Sequence, residues 1–441
     1  SASIFSFFTL ISRILGYIRD ILIAIFLGAS VFADAFFVAF RLPNTFRRLF
    51  AEGTFNAAFI PSYTAAKLNN KKNGNIFADD VLSLLLLILI FIVTIAEIFT
   101  PYLVYLIAPG FVENDLKFNL AVEFTRITFP FLIFVSLSSF FSGILNTNNK
   151  FAAASAAPII LNIILILSLI ISYYFGLDFS KQLSYGVTLA GLIQLLFLVY
   201  VTLKYYKPDL VLNLKLSSKV KFFFRKLLPS ILSSGVTQIN ILVGTIIASF
   251  QSGAVSYLYY ADRVYQINLA IAGIAVGTVT LPVLSKAFKT KNFKKISNIQ
   301  NKSLELSLLL SVPASLGLIL ASEEIVNALF GYGSFSKDDV LLTAGALKYF
   351  GFGVPAFALV KILSNFYFAR DNTKTPFYIS MFIVILNIFI SVSLFSKIGF
   401  IIIPIATSIS TWIGVFIYLY LLNLKKALLL KNQLILNLIK I

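Results

Sequence analysis

Long uninterrupted apolar runs are the feature that most restricts what this 441-residue chain can fold into. A helix needs about 20 apolar residues to cross the hydrocarbon core of a bilayer. A transmembrane β-barrel would instead show short segments of alternating polarity. The runs predict twelve spans, at residues 3–28, 30–66, 78–107, 117–146, 151–175, 182–204, 224–250, 254–286, 301–321, 339–369, 375–396 and 399–424.

The composition points to the same class of protein. Hydrophobic residues make up 59% of the chain and charged residues 12%, which is far from the balance of a soluble domain of this length. The predicted fold class is therefore an all-α polytopic membrane protein. Residues 428–441 are either the beginning of a truncated thirteenth helix or an interfacial helix. Because Ser1 already lies in an apolar run, we expect a further segment before it and do not interpret it as a signal peptide.

The placement of charge predicts the topology. The net charge is +18, which in a soluble protein would suggest nucleic acid, but the lysines concentrate in the loops after the even-numbered spans. The other loops carry acidic residues and few lysines. By the positive-inside rule both termini and every even-numbered loop are cytoplasmic. We expect anionic membrane lipids, and no nucleic acid, to contact the basic loops.

The chain also repeats itself. Three pairs of residues in similar surroundings are each separated by 225 positions: Pro130 and Pro355, Asn146 and Asp371, and Asn162 and Asn387. A constant separation indicates a duplication into two parallel six-helix lobes, which we place at residues 1–210 and 211–427. Two such lobes around a central cavity are the usual architecture of alternating-access transporters.

The absence of two residue types excludes several kinds of chemistry. The chain has no Cys and no His, so it can form neither disulfides nor thiolate or imidazole metal sites. It also lacks a glycine-rich phosphate loop followed by Lys. We therefore predict that the protein is not an enzyme and uses no cofactor or metal.

Charged residues inside the first span are the first candidates for a binding site. An intramembrane charge is costly, so it normally faces a bundle interior or an aqueous cavity. Arg13 lies near the middle of the span, and Gly16, Arg19 and Asp20 share one helical face with Ser12. Asp20 could simply neutralise Arg19, or both arginines could bind an anion.

The second span carries a longer charged stripe. Asp34, Arg41 and Arg48 are spaced seven residues apart, with Glu52 one turn beyond and Arg47 on a neighbouring face. One of the two adjacent arginines is expected to pair with Glu52, leaving the other for a ligand. The spacing alone does not say which.

The second lobe offers one comparable pair. Asp262 and Arg263 lie in YYADRVYQ of the eighth span, where Asp262 could neutralise Arg263 or leave it available. Guanidinium groups bind phosphate and carboxylate in a forked geometry. The arginine-rich cavity therefore predicts an anionic substrate.

The same residues carry a family resemblance. The segments SRILGYIRD, RLPNTFRRLFAEGTF, LNTNNKF, YYADR and GTVTLPVLSK resemble the MurJ (MviN) family of lipid II flippases, in the multidrug/oligosaccharidyl-lipid/polysaccharide exporter superfamily. The resemblance covers almost the whole chain. It implies that lipid II, the undecaprenyl-pyrophosphate-linked disaccharide-pentapeptide, is moved outward by alternating access in the bacterial cytoplasmic (inner) membrane. Enzymes of cell-wall synthesis would be candidate partners.

The resemblance also assigns roles to residues. It favours Arg47 over Arg48 as the ligand. The substrate-binding residues that it implies are Arg13, Arg19, Arg47, Arg263, Asp34, Arg41 and Glu52, and the supporting residues are Asp20, Arg48 and Asp262.

The chain departs from the family in two respects, and alternatives remain. The resemblance implies a layout of fourteen spans, and some relatives use a sodium site that contains a carboxylate. Here Asn240 and Asn387 are available, but spans seven, eleven and twelve carry no acid. The alternatives are a cation-coupled drug exporter, which the cavity arginines disfavour, a flippase for another polyprenyl-linked glycan, and a non-transporting scaffold for cell-wall enzymes.

Overall fold

The computed structural model of the chain describes residues 2–51, 54–209 and 218–428. Every regular element among them is helical, as the apolar runs predict. The helices are α1 (Ala2–Leu27), α2 (Val31–Ala51), α3 (Thr54–Asn69), α4 (Lys71–Ile98), α5 (Thr100–Ile107), α6 (Asp115–Thr128), α7 (Phe131–Thr147), α8 (Phe151–Phe175), α9 (Phe179–Thr202), α10 (Ser218–Ala248), α11 (Ala254–Leu269), α12 (Val276–Lys289), α13 (Phe293–Leu320), α14 (Ser322–Phe330), α15 (Lys337–Phe368), α16 (Lys374–Ile398) and α17 (Ile402–Leu424). Short 3-10 segments occupy Pro109–Glu113 and Gly399–Ile401, and a π-helical segment occupies Ala270–Ala275.

Eight helical segments of the described part are long and apolar enough to cross a membrane, which indicates a multi-pass membrane protein. They are Lys72–Ile98, Asp115–Thr147, Phe151–Phe175, Phe179–Thr202, Ala254–Lys289, Phe293–Leu320, Lys337–Phe368 and Lys374–Leu424. Helices α1 and α2 are also long, but each carries at least three charged side chains. The predicted number of twelve spans stays a prediction, as does a thirteenth, because residues 429–441 lie outside the described part.

The chain divides into two compact units, Ser1–Gly253 and Ala254–Ile441. Helix α10, predicted to open the second lobe, packs against α3 within the first unit. The predicted lobe boundary between residues 210 and 211 falls among residues that the structure leaves undescribed. Those boundaries, and the parallel arrangement of two lobes, stay predictions.

The two units share the following pattern of helix–helix contacts. In the first unit, the helix pair α6–α7 packs against α9, α2–α3 and α4–α5, while α8 packs on α9. In the second unit, α15 packs against α17, α11–α12 and α13–α14, while α16 packs on α17. These contacts follow the same chain order in both units, and the duplication into two six-helix lobes stays a prediction.

The landmarks of the repeat show where the two units agree and differ. Asn162 and Asn387 are both buried inside corresponding helices, α8 and α16. Pro130 precedes α7, whereas Pro355 lies buried inside the continuous helix α15. A proline in a helix leaves the carbonyl four residues earlier without its usual donor. In α15 that carbonyl belongs to Gly351, and Ser315 of α13 donates to it at 2.7 Å.

A cluster of buried aromatic side chains packs α3, α4, α7 and α10 together in the first unit. Phe59 stacks with Phe55 and Tyr63 and also contacts Phe140 of α7 and Phe223 of α10. Buried aromatic side chains remove about 150–250 Å² each from solvent, so such a cluster dominates local stability. Through Phe223, the cluster packs the beginning of α10 against α3 and α4.

Candidate functional site

Arg19 is the centre of a buried polar group between α1 and α8. Arg19 is 6% exposed, and its neighbour Asp20 is 2% exposed. Arg19 Nε and Nη2 donate to Oδ1 of Asp20 at 3.0 and 2.6 Å. Arg19 Nη1 donates to Oδ1 of Asn162 at 2.9 Å. These bonds join the guanidinium to a carboxylate of its own helix and to an amide of another helix.

Asn162 also binds the backbone of α1. Its Nδ2 donates to the carbonyl oxygen of Ser12 at 2.8 Å. A Cβ atom added at Gly16 would lie 3.5 Å from the amide, an ordinary van der Waals contact, so the amide packs directly on this face of α1. Ser12, Gly16 and Arg19 thus face the same partner, in agreement with their helical spacing. Sequence reasoning identified Asn162 only as a repeat landmark and missed this contact.

The two arginines of α1 have different surroundings. Arg19 forms the neutralising pair with Asp20 that the sequence left open as one alternative. Arg13 is exposed and makes no hydrogen bond or ion pair with any residue that the structure describes. The substrate-binding role predicted for both therefore stays a prediction, and Arg13 is the more accessible of the two.

Asp34 takes part in a buried ion pair that the sequence analysis did not predict. Its side chain is fully buried, and Lys117 Nζ of α6 lies 2.5 Å from Asp34 Oδ2. The same oxygen accepts the backbone N–H of Gly253 at 2.9 Å. Lys117 Nζ also lies 4.1 Å from the ring centroid of Phe111. Asp34 has no exposed surface and joins α2 to Lys117 and Gly253 in this conformation. Its predicted contact with substrate stays a prediction.

A sequence signal for Lys117 existed but was weak. Lys117 begins the fourth predicted span, directly after a loop that carries Glu113 and Asp115. A lysine is unusual there, because the loops after odd-numbered spans are acidic and carry few lysines. Nothing in the local pattern connects it with Asp34, which lies 83 positions earlier.

The arginines of α2 lie half-buried around a proline. Arg47 Nε donates to Oδ1 of Asn44 at 2.9 Å, and Pro43 lies inside the helix and is buried. Arg41 and Arg48 are also half-buried. Glu52, the predicted acidic partner of this group, lies outside the described residues.

In the second unit, Arg263 lies against an aromatic side chain. Its Nη2 donates to the hydroxyl oxygen of Tyr259 at 3.0 Å, and its Cζ lies 4.7 Å from the centroid of that ring. Gln266 donates to the carboxylate of Asp262. Sequence reasoning missed Tyr259, although its spacing of four residues from Arg263 places both on one helical face.

The π-helical segment begins seven residues after Arg263. Gly273 lies inside it, where an added Cβ atom would come within 3.1 Å of the Cα atom of Ala358 in α15. Single π-helical turns inside α-helices occur frequently at functional sites. Here the segment packs against α15.

An apolar cavity of about 530 Å³ lies elsewhere in the second unit, between α13, α15 and α17. Its wall includes Phe352, Pro355 and Trp412. None of the predicted site residues lines it.

Comparison with known families agrees with the resemblance drawn from the motifs. The family model described as "Lipid II flippase MurJ" matches residues 23–441. A probable lipid II flippase MurJ of Rickettsia prowazekii is 40% identical over 416 residues, covering 93% of this chain and 81% of that protein. The lipid II flippase MurJ of Burkholderia cenocepacia is 34% identical over 390 residues, covering 86% of this chain and 75% of that protein.

Solved structures extend the comparison to the fold. The chain matches a structure of "Lipid II flippase MurJ, inward closed conformation" with a TM-score of 0.85 at 29% identity, covering 95% of this chain and 87% of that one. An inward-facing transporter of the multidrug resistance MATE family matches with a TM-score of 0.76 at 16% identity, covering 95% and 97%, which is a likeness of fold alone. The family model and the curated relatives together identify this chain as a member of the lipid II flippase MurJ family.

Proposed function

We propose that this protein is a lipid II flippase, which moves the undecaprenyl-pyrophosphate-linked peptidoglycan precursor across the bacterial cytoplasmic membrane for cell-wall synthesis. The observation that carries the proposal is the match to the family along residues 23–441. The buried guanidinium group of α1 is the kind of site that such a substrate needs, because a diphosphate presents several anionic oxygens to forked donors.

The headgroup is bound by arginines. Arg13 supplies an exposed cation about one turn from Gly16, and Arg19 lies deeper in the same helix. Arg47 supplies a half-buried guanidinium from α2. Arg263 is assigned to the same substrate from the sequence resemblance. Asp34, Arg41 and Glu52 are further predicted contacts, with Asp20, Arg48 and Asp262 in support.

The prenyl tail stays in the lipid phase while the headgroup crosses. The site opens alternately to the cytoplasm and to the opposite side, and the N-terminus is cytoplasmic, as the loop charges predict. Substrate binding can shift this equilibrium only by the difference between its affinities for the two states. Lipid II and the surrounding membrane lipids are the partners, with enzymes of cell-wall synthesis as candidates.

The experiment measures which leaflet holds lipid II in cells depleted of their own flippase. Expression of this chain should return lipid II to the outer leaflet. Arg13→Ala should abolish that activity while the protein still inserts at normal levels. Arg225→Ala, which removes an exposed arginine of α10, is the matched control and should remain active. Full activity of Arg13→Ala would remove Arg13 from the site, and inactivity of the unaltered chain would contradict the proposed function.

The alternatives predict other outcomes of the same assay. A flippase for another polyprenyl-linked glycan would leave lipid II inside while moving its own diphosphate lipid. A drug exporter would protect cells against cationic compounds, and a scaffold would tolerate all arginine substitutions. The family match does not favour any of the three.

A further inference from the structure

Arg19 contacts one residue of its own helix and one residue of a distant helix. Asp20 is its neighbour on α1, so this carboxylate neutralises the guanidinium from within the same helix. Asn162 lies 143 positions away on α8 and accepts from Nη1. The second contact relates the guanidinium to another helix.

Asn162 is itself held from the other side. Its Nδ2 donates to the backbone carbonyl of Ser12, and Oδ1 is the atom that receives Arg19. The two bonds fix which way the amide points, because a flipped amide would place a donor against the guanidinium. Asn162 is 6% exposed, so water cannot readily replace either bond. Asn162 therefore transmits the position of α8 to the guanidinium through one rigid group.

The amide also holds Arg19 without adding charge. Asp20 already supplies one negative charge to this guanidinium. A carboxylate at position 162 would supply a second, and the group would then repel an incoming diphosphate. The choice of Asn at this place is consistent with a cation that must be oriented and still attract an anion.

From this geometry we propose that Asn162 is the positioning residue for Arg19: a neutral acceptor on α8 that orients the guanidinium toward the diphosphate of the substrate. The inference rests on the proposed function. It assigns to Asn162 a role that its place in the sequence repeat does not explain.

A double-mutant cycle separates this role from a structural one. The full chain is purified in detergent, and its dissociation constant for lipid II is measured for Asn162→Leu, Arg19→Gln and the double variant. Asn162→Leu should weaken binding about tenfold, as expected when one hydrogen bond to a charged group is lost. In the Arg19→Gln background the same change should have little effect. Equal weakening in both backgrounds would show that Asn162 acts on the fold and overturn the proposal.

Asn162→Asp tests the requirement for neutrality. It keeps an acceptor of the same size for Arg19, adds a charge and loses the donor to the Ser12 carbonyl, so it should weaken binding at least as much as Asn162→Leu. Wild-type affinity for this variant would overturn the charge argument. If Asn162→Leu fails to fold, Asn162→Ser replaces it in the cycle, because its shorter side chain leaves Arg19 without its acceptor and fits the same space.

Two controls make the outcomes distinct. Asn301→Leu removes an equally buried Asn, which donates to the carbonyl of Ser297 within α13, and should leave lipid II affinity unchanged. Failure of the unaltered chain to bind lipid II contradicts the proposed function and this inference with it. Normal binding by the unaltered chain together with additive losses contradicts the inference alone.

Discussion

Lys117 Nζ lies 2.5 Å from Asp34 Oδ2, and both side chains are buried within the first unit. The pair connects the beginning of α2 with the beginning of α6, and the N–H of Gly253 binds the same carboxylate oxygen. Three segments that are distant in sequence therefore share one charge pair. A buried pair is weak evidence of net stabilisation, but the loss of one partner leaves an uncompensated charge.

Lys117→Met should therefore destabilise the protein strongly. Removal of one member of a buried pair costs about 3–5 kcal/mol, and thermal unfolding in detergent measures the loss. Asp34→Asn in the same chain should recover part of it, because the remaining charge is then gone. The control is Lys181→Met, whose partner Glu123 lies 2.7 Å away with both side chains nearly half exposed, and it should change stability little. Equal effects of the two lysine substitutions would contradict the importance of burial here.

Gly110→Ala should be poorly tolerated. An added Cβ atom would lie 2.5 Å from backbone atoms of Ser249 and Phe250, which cannot rotate away as a side chain can. Overpacking of this kind typically costs about 1–3 kcal/mol. Gly16→Ala is the comparison, since its Cβ atom would meet Asn162 at an ordinary 3.5 Å. We expect a lower unfolding temperature for the first variant only, and the reverse order would argue against the close packing at Gly110.

Substitutions of Tyr259 should have graded effects on lipid II binding if Arg263 contacts the substrate. Tyr259→Phe removes the hydrogen bond to Arg263 but keeps the ring face beneath the guanidinium. Tyr259→Leu removes both. A cation–π contact contributes about 0.5–2 kcal/mol, so the Leu variant should bind several-fold more weakly than the Phe variant. Identical dissociation constants for the two variants would mean that the ring face does not position Arg263.

The hydrogen bond between Tyr206, which follows α9, and Asp79 of α4 should make the stability of the protein depend on pH. Tyr206 is buried and donates to Asp79, and burial followed by this hydrogen bond raises its pKa. In the unfolded chain a tyrosine releases its proton near pH 10. The contribution of Tyr206 to stability is therefore complete below about pH 10 and declines as the pH rises further.

Tyr206→Phe should consequently lower stability at neutral pH and flatten the alkaline decline. The loss at neutral pH should be about 1–3 kcal/mol, since Asp79 keeps the N–H of Asp209 as a partner. Unfolding temperatures between about pH 8 and pH 11 measure both effects. Parallel curves for the two proteins would show that Tyr206 does not titrate with unfolding.

The sequence by itself determined the class of protein, the location of most helical segments and the family. The predicted spans are mostly helical in the described residues, because continuous apolar runs leave the backbone no partner in lipid other than itself. The spans at 78–107 and 117–146 are each divided between two helices, and α14 lies outside every predicted span. The face shared by Ser12, Gly16 and Arg19 also followed from helical geometry alone, since residues three and four apart are neighbours.

Only the tertiary structure decided the partners of the charged groups. Asn162 reaches Arg19 across 143 positions, and Lys117 reaches Asp34 across 83. Helical periodicity specifies which side chains share a face, but it does not specify which other helix packs against that face. Partner choice depends on how α8 approaches α1 at Gly16 and how α6 approaches α2, and those approaches are properties of the packed unit.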